Sequence, residues 1–192
     1  MASTNRHSRL TELDEQLAYY RARAAEYDEW FFRQGRYDRG PVVNQHWHSE
    51  VAIVRAALDS FRPTGDVLEL ACGTGNWTEQ LARHADSVLA VDAAREMLAI
   101  NRKKLNASNV QYVQADVFEW KPDRQYDVVF FGFWLSHIPE DKLSGFWKTV
   151  RSALRPTGRV FFVDSLPNPD SRAKDHPIAD ESSDRQTRYL SD

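Results

Sequence analysis

The sequence predicts an α/β fold built on a mostly parallel sheet with helices on both faces. Five short apolar runs alternate with stretches long enough to form crossover helices, which parallel strands require. The apolar runs cover residues 66–71, 88–91, 110–113, 128–131 and 160–163. The connecting stretches cover residues 76–84, 95–105 and 142–154.

Two amphipathic helices are predicted ahead of the sheet. Apolar residues from Leu10 to Tyr27 recur at spacings of three and four, which is typical of one helical stripe, and this helix should end near Gly35. Residues 44–61 repeat the pattern and stop at the breaker cluster of residues 62–65. After residue 164 the apolar periodicity disappears, so the last residues are expected to be loop or disordered chain.

Composition excludes several classes of protein. A chain of 192 residues with 42% hydrophobic residues fits one globular domain. Its formal net charge of -3 does not favour a nucleic-acid partner. One cysteine, Cys72, cannot form an internal disulfide, and there is no secretory pattern and no apolar run long enough to span a membrane. We therefore expect a cytoplasmic protein without a membrane partner.

A glycine turn follows the first predicted strand. Gly73 and Gly75 let the backbone turn sharply and let a ligand approach where open parallel sheets bind their ligands. Asp92 ends the second strand, 19 residues past Gly73, where an acidic side chain can accept hydrogen bonds from ribose hydroxyls. Asp116 ends the third strand, where a carboxylate can accept from an adenine amine. Alternatively, the glycines are ordinary turn residues and both aspartates are helix caps.

These motifs resemble the class I S-adenosylmethionine-dependent methyltransferases over roughly residues 19–164. Residues 126–133 and 154–160 look like the family's fourth strand element and the loop that follows it. The resemblance implies that Glu69 and the glycine-turn backbone hold the methionine portion of S-adenosylmethionine, Asp92 the ribose, and Asp116 with Val117 the adenine. The expected cofactor-binding residues are Tyr19, Glu69, Ala71, Gly73, Thr74, Gly75, Asn76, Asp92, Asp116 and Val117.

The resemblance also predicts a Rossmann-like architecture in three parts. Residues 1–40 should form an N-terminal lid helix region, residues 41–166 the cofactor-binding core, and residues 167–192 a polar tail. Tyr19 is expected to contact the cofactor from the lid. Thr78 stands where a nicotinamide dehydrogenase carries a third glycine, so an oxidoreductase is the weaker interpretation. Cys72 is expected to pack rather than react.

The acceptor of the methyl group is predicted to be a small organic molecule. Residues 131–134 do not carry the motif of relatives that methylate DNA bases or protein amides. His137 follows the fourth strand and is the candidate general base, although it could instead hydrogen-bond the loop backbone. Phe133 and Trp134 could line an acceptor pocket or pack the sheet. No metal is expected, since His46 and His48 point away from each other on a helix.

The family's sheet has seven strands, whereas only 29 residues follow Val163 and none of them reads as the final pair. We expect the C-terminal strands to be missing, which leaves the fifth strand as an open edge that a second copy could cover in a homodimer. Loss of those strands keeps an alternative function open, a non-catalytic cofactor-binding or interaction module on the same fold.

Overall fold

The computed structural model describes Ala24 and residues 26–165. Tyr19, most of the predicted lid helix and the predicted polar tail lie outside these residues. The three-part division of the chain therefore stays a prediction.

Five parallel strands form one sheet, which confirms the predicted α/β class. The strands are β1 (Asp66–Leu70), β2 (Ser87–Asp92), β3 (Val110–Gln114), β4 (Tyr126–Gly132) and β5 (Leu154–Val163). Their spatial order is β3-β2-β1-β4-β5, so the order reverses between β1 and β4. In open α/β sheets this reversal point opens the crevice that holds ligands.

The fifth strand begins six residues earlier than predicted. Leu154 already pairs with Tyr126, and pairing resumes when Arg159 meets Val128. Between these pairs the register shifts, so residues 155–158 form an irregular segment on this edge of the sheet. Pro156 and Gly158 interrupt the apolar pattern there, which is why the sequence gives no sign of the early start.

The helices match the predicted crossovers closely. They are α1 (Tyr27–Phe31), α2 (Pro41–Phe61), α3 (Thr78–His84), α4 (Arg95–Lys104) and α5 (Glu140–Ala153), with short 3-10 helices at Gly35–Tyr37 and Leu135–His137. α1 ends earlier than the predicted limit at Gly35, because Arg33 and Gly35 both adopt positive φ. In the part of the chain that the structure covers, no helix has the length and apolar character needed to cross a bilayer.

Each face of the sheet packs against its own layer of helices. Val67, Val128 and Phe130 point to the face covered by α2, α3 and α4. The alternate residues Leu68 and Phe131 point to the face covered by α5. This alternation is the period of two that a strand imposes, and it places Glu69 on the α3 side.

The Arg155 side chain, called the Arg155 strap below, links the amino ends of β5, β1 and β4. Arg155 at the start of β5 donates to the Asp66 carboxylate at 2.9 Å and also binds the Asp127 carboxylate. Asp127 in turn accepts a hydrogen bond from the Asp66 backbone N–H at 2.8 Å. The cationic partner lowers the pKa of both carboxyls, together with a hydrogen bond from Ser87 that is the largest contribution at Asp66. The strap joins an edge strand to the central strand β1.

Candidate functional site

The glycine turn lies across the carboxyl ends of β1 and β2. Ala71, Gly73 and Gly75 all have positive φ, of 51°, 52° and 87°, and this turns the chain sharply out of β1. The Gly73 N–H donates to the Asp92 carboxylate at 2.9 Å. The turn and the first acidic strand end are therefore in direct contact.

Asp92 contacts both the glycine turn and the loop that leads into α4. Its second carboxylate oxygen accepts from the Ala94 N–H at 2.8 Å, two residues along the chain, whereas the start of α4 itself has no side-chain cap. Burial raises the pKa of Asp92 against the opposing effect of these two hydrogen bonds. A carboxylate offers about four lone-pair positions, so two remain for hydroxyl donors. Holding the loop and binding a ribose are therefore compatible roles for Asp92.

The second acidic strand end lies beside the first. The Ala115 N–H donates to the Asp92 carbonyl at 3.0 Å, which joins the end of β3 to the end of β2. Asp116 is exposed and accepts from the Phe118 N–H at 2.9 Å, and no helix follows it before β4. Val117 is buried next to it. Both aspartates thus face the same edge of the sheet, although their ligand contacts stay predictions.

Glu69 is buried behind the glycine turn, and its contact with the methionine portion stays a prediction. The residue is only 1% exposed, and its carboxylate accepts from the Thr78 hydroxyl at 2.6 Å. Burial, with a smaller contribution from Asp92, raises the pKa of Glu69 to about 8 against the effect of the Thr78 bond. Thr78, the residue that separates this motif from the dehydrogenase pattern, is therefore the direct partner of Glu69.

Contacts from distant elements hold the outer side of the turn. The Thr74 hydroxyl donates to the Asp28 carboxylate of α1 at 2.6 Å. Lys104 at the end of α4 donates to the same carboxylate at 2.6 Å and to the Asn76 side-chain oxygen at 3.2 Å. From α2, Arg55 donates to the Asn76 carbonyl at 2.9 Å.

The sequence offers little sign of these anchors. Asp28 lies within the predicted lid region of residues 1–40, but nothing in the sequence pairs it with Thr74 or with Lys104. The lid region therefore reaches the turn through a residue that sequence reasoning missed. Tyr27 of the same helix also approaches the turn, because its ring lies 3.8 Å from the position that a methyl group on Gly73 would occupy.

Aromatic side chains fill the space beside the end of β4. Phe133 adopts a positive φ of 53° and lies 5.5 Å from Trp30, 5.9 Å from Trp47 and 6.2 Å from Trp77 between ring centres. Trp134 packs instead on Phe118 at 5.7 Å. The packing role that we weighed for both residues is thus present. This aromatic cluster borders the crevice at the point where the strand order reverses.

The candidate base follows this cluster. His137 closes the 3-10 helix after β4, is half-buried, and its backbone N–H donates to the Trp134 carbonyl at 3.0 Å. Asp164, just after β5, fixes this segment by accepting from the Ser136 N–H at 2.6 Å. His137 thus lies on the predicted side of the sheet. Its proton-transfer role stays a prediction.

Cys72 and the histidine pair behave as packing and surface residues. Cys72 is buried, and burial raises the pKa of its thiol well above the usual value, which keeps it protonated and unreactive. His46 lies exposed on α2, 3.7 Å from Glu50 one turn later.

The groups at this edge fit an adenosyl ligand. The Asn76 side-chain nitrogen is buried and has no hydrogen-bond partner among residues 26–165, which leaves a donor beside the turn for a carboxylate such as that of methionine. Asp92 and Asp116 supply acceptors for hydroxyl and amine donors. The fold and the site together define a nucleoside-binding α/β protein.

Comparison with known proteins refines this class. The family model described as "Methyltransferase domain" matches residues 67–158. DhpI, solved as a complex with SAM and HEP, is 43% identical with a TM-score of 0.68, over 79% of this chain and 65% of that chain. In the DhpI–SAH complex the same values hold and the share of that chain is 68%. The ubiquinone biosynthesis O-methyltransferase of Acinetobacter baumannii strain ACICU is 34% identical over 110 residues.

The chain belongs to the class I S-adenosylmethionine-dependent methyltransferases. This confirms the predicted family and its cofactor, S-adenosylmethionine, and the dehydrogenase interpretation is set aside. The match to the Acinetobacter enzyme covers 55% of this chain and 46% of that protein. The chain therefore spans about half the length of that sequence relative and about two thirds of DhpI.

Proposed function

We propose that this chain transfers the methyl group of S-adenosylmethionine to a small organic acceptor by in-line displacement. The observation that carries the proposal is the 2.9 Å contact between the Gly73 N–H and the Asp92 carboxylate. It brings the glycine turn and an acidic strand end together beside the point where the strand order reverses. Family membership supports the reaction type.

Each part of the site has an assigned role in this proposal. Asp92 accepts from the ribose hydroxyls, Asp116 and the Val117 backbone bind the adenine, and Asn76 with the backbone of the turn binds the methionine carboxylate. Glu69 supports the turn from behind through Thr78. Tyr19 contributes from the lid.

When bound, the cofactor supplies an electrophilic methyl group on a sulfonium centre. The chain's own contribution is to hold the acceptor in line and to exclude water, which can supply much of the rate. Trp30 and Phe133 offer apolar surface for this purpose beside the end of β4. His137 takes the proton of an acceptor that loses one.

The named relatives support a small acceptor. One is a ubiquinone biosynthesis O-methyltransferase, and the other was solved with HEP beside SAM. Both names are consistent with a free small molecule rather than a nucleic acid. An oxygen atom as the methyl acceptor agrees with the first relative.

A non-catalytic cofactor-binding module is the second candidate. The observation that favours it is that the similarity covers only 46% of the Acinetobacter relative. In this version, the turn and the acidic strand ends bind the cofactor but no acceptor pocket is completed.

Calorimetric titration with S-adenosylmethionine and with S-adenosylhomocysteine tests cofactor binding. Asp92→Ala should weaken the affinity for both by about tenfold or more, because hydrogen bonds to a charged group contribute about 1.5 to 3 kcal/mol. Asp86→Ala is the matched control, since Asp86 is exposed between α3 and β2 at the opposite end of the sheet. Equal affinities for both variants and the parent chain would remove Asp92 from the site.

A methyl-transfer assay across small organic acceptors that carry oxygen, nitrogen or sulfur nucleophiles then separates the two candidates. A loss of turnover of at least about tenfold in His137→Ala would support both the methyltransferase activity and the role of His137 as general base. Tight binding of both nucleosides without any turnover would instead support the non-catalytic module.

We also propose that the protein acts in the cytoplasm as a homodimer without a nucleic-acid partner. β5 pairs only with β4 among the strands that the structure covers, so its outer edge is open. Phe162 is 47% exposed on this edge, and Trp147 of α5 is 37% exposed at 6.0 Å from it. Open apolar edges favour strand pairing between copies.

Sedimentation velocity tests the dimer. The Phe162→Lys variant should sediment as a monomer at concentrations where the parent chain sediments as a dimer, because a lysine on an edge strand opposes strand pairing. Val42→Lys is the control at another exposed apolar position on α2. A parent chain that sediments as a monomer at all concentrations would sink the proposal.

A further inference from the structure

We propose that Asn101 is a positioning residue for the glycine turn, and that it raises cofactor affinity without touching the cofactor. The inference rests on the proposed function, since it concerns the turn that holds the methionine portion. Asn101 belongs to α4, the helix that connects β2 to β3, and is separated from Gly75 by an entire βα unit.

Asn101 joins two elements through a fully buried amide. It is 0% exposed, and its side-chain nitrogen donates to the Thr78 hydroxyl at 2.9 Å. Its oxygen accepts from the Tyr112 hydroxyl at 3.0 Å. Because the Thr78 hydroxyl donates to Glu69 at 2.6 Å, one chain of hydrogen bonds runs from β3 through α4 and α3 to β1.

The same amide lies directly against the turn. A methyl group built on Gly75 would come within 2.3 Å of the Asn101 oxygen and 2.5 Å of its side-chain carbon. Only a residue without a side chain fits there, and the φ of +87° at Gly75 imposes the same restriction independently. The Asn101 side chain therefore limits how closely the backbone of the turn can approach α4.

A buried hydrogen-bonded network of this kind rigidifies what it touches. Here it touches Gly75 by contact and Thr78, the first residue of α3, by a hydrogen bond. A turn that is already held in its binding conformation loses less conformational entropy when a ligand arrives. The network should therefore raise the affinity for the cofactor, in addition to stabilising the fold.

Asn109 provides a matched control. It has the same side chain, is partly buried, and donates to the Ala82 and Ala85 carbonyls at 2.9 and 3.1 Å. These carbonyls lie at the far end of α3, away from the turn. Asn109→Ala should lower the melting temperature and leave the affinity for S-adenosylhomocysteine within about twofold of the parent chain.

Asn101→Ala should also lower the melting temperature but should weaken S-adenosylhomocysteine binding by about tenfold. Both quantities are measured on the same protein, the first by calorimetric melting and the second by titration well below the transition. Tyr112→Phe removes one hydroxyl and leaves no large cavity, so it decides the question if Asn101→Ala does not fold. It should weaken binding by about threefold.

Two outcomes would overturn the inference. If the parent chain binds and both Asn101→Ala and Tyr112→Phe bind as tightly as Asn109→Ala, the network is structural only and the proposed function stands. If the parent chain itself binds neither nucleoside, the inference and the proposed function fall together.

Discussion

The two halves of the sheet differ in what they present at their carboxyl ends. β1, β2 and β3 end in hydrogen-bonding groups, with the Gly73–Asp92 contact at 2.9 Å and the Ala115–Asp92 contact at 3.0 Å. β4 and β5 end among aromatic rings, where Phe133 meets Trp30 and Phe131 stacks on Phe162 at 5.2 Å. Under our proposal, β1, β2 and β3 recognise the nucleoside, whereas aromatic packing holds β4 and β5.

Phe131→Ala tests that separation with the largest expected effect. The ring is fully buried between Phe146 and Phe162, so its loss should lower the free energy of unfolding by about 3 to 5 kcal/mol in urea denaturation. Affinity for S-adenosylhomocysteine should change by less than about twofold under native conditions. Phe162→Ala, on the same stack but half exposed, should cost clearly less. A large affinity loss in Phe131→Ala would show that the halves are not separate.

Glu69→Gln tests the hydrogen-bonded half of the sheet through the pH dependence of the free energy of unfolding. The carboxyl has its pKa raised from 4.5 to about 8, so the folded chain holds a proton there that the unfolded chain releases. Stability from this group is present below about pH 4.5 and is lost as the pH rises through about 8. Glutamine stays neutral, so the variant should gain about 3 kcal/mol relative to the parent between about pH 5 and pH 8.

Urea denaturation at both pH values measures this difference. Glu79→Gln is the control, because Glu79 lies exposed on α3 and pairs only with Arg83 one turn later. It should show nearly the same pH dependence as the parent chain. Parallel stability profiles for Glu69→Gln and the parent would contradict the assignment of a buried, protonated Glu69.

Gly75→Ala sharpens the comparison at the turn itself. The added methyl group meets the Asn101 amide at a positive φ, so unfolding free energy should fall by about 2 kcal/mol and cofactor binding should weaken. Gly145→Ala is the opposite case, since Gly145 lies within α5 and a methyl group there meets nothing within 4 Å. That variant should gain about 0.5 to 1 kcal/mol. Chemical denaturation measures both, and a stable Gly75→Ala protein would contradict the tight fit.

Lys104→Ala has the smallest expected effect. Lys104 and Asp28 are both partly exposed, so their ion pair should contribute about 0.5 kcal/mol to unfolding free energy. The difference between variant and parent should shrink further in about 1 M salt, which screens such pairs. A loss that salt does not reduce would indicate that Lys104 acts by packing.

Local patterns in the sequence are enough to predict the strands and the acidic strand ends. Apolar runs and glycine placement depend on neighbours in the chain, so the five strands and the glycine turn follow from them. The hydrogen bond between Gly73 and Asp92 does not, because its partners lie 19 residues apart on different elements. Asp28 and Asn101 could not be predicted, because their partners Thr74 and Thr78 lie on other elements. Glu69 shows the same limit, since its strand position was predicted but its burial behind the turn depends on Thr78 and α4.

The Arg155 strap has a consequence for how the chain is made. Asp66 and Asp127 lie close enough for the charge of one to raise the pKa of the other. Their shared cation arrives only with the start of β5. While the ribosome is still synthesising the chain, Asp66 can already pair with Arg124, which lies 3.2 Å away and precedes β5. The pairing of Asp127 with Arg155 must wait for β5. Synthesis of β5 therefore adds the one cation that contacts both carboxylates and ties the last strand to the centre of the sheet.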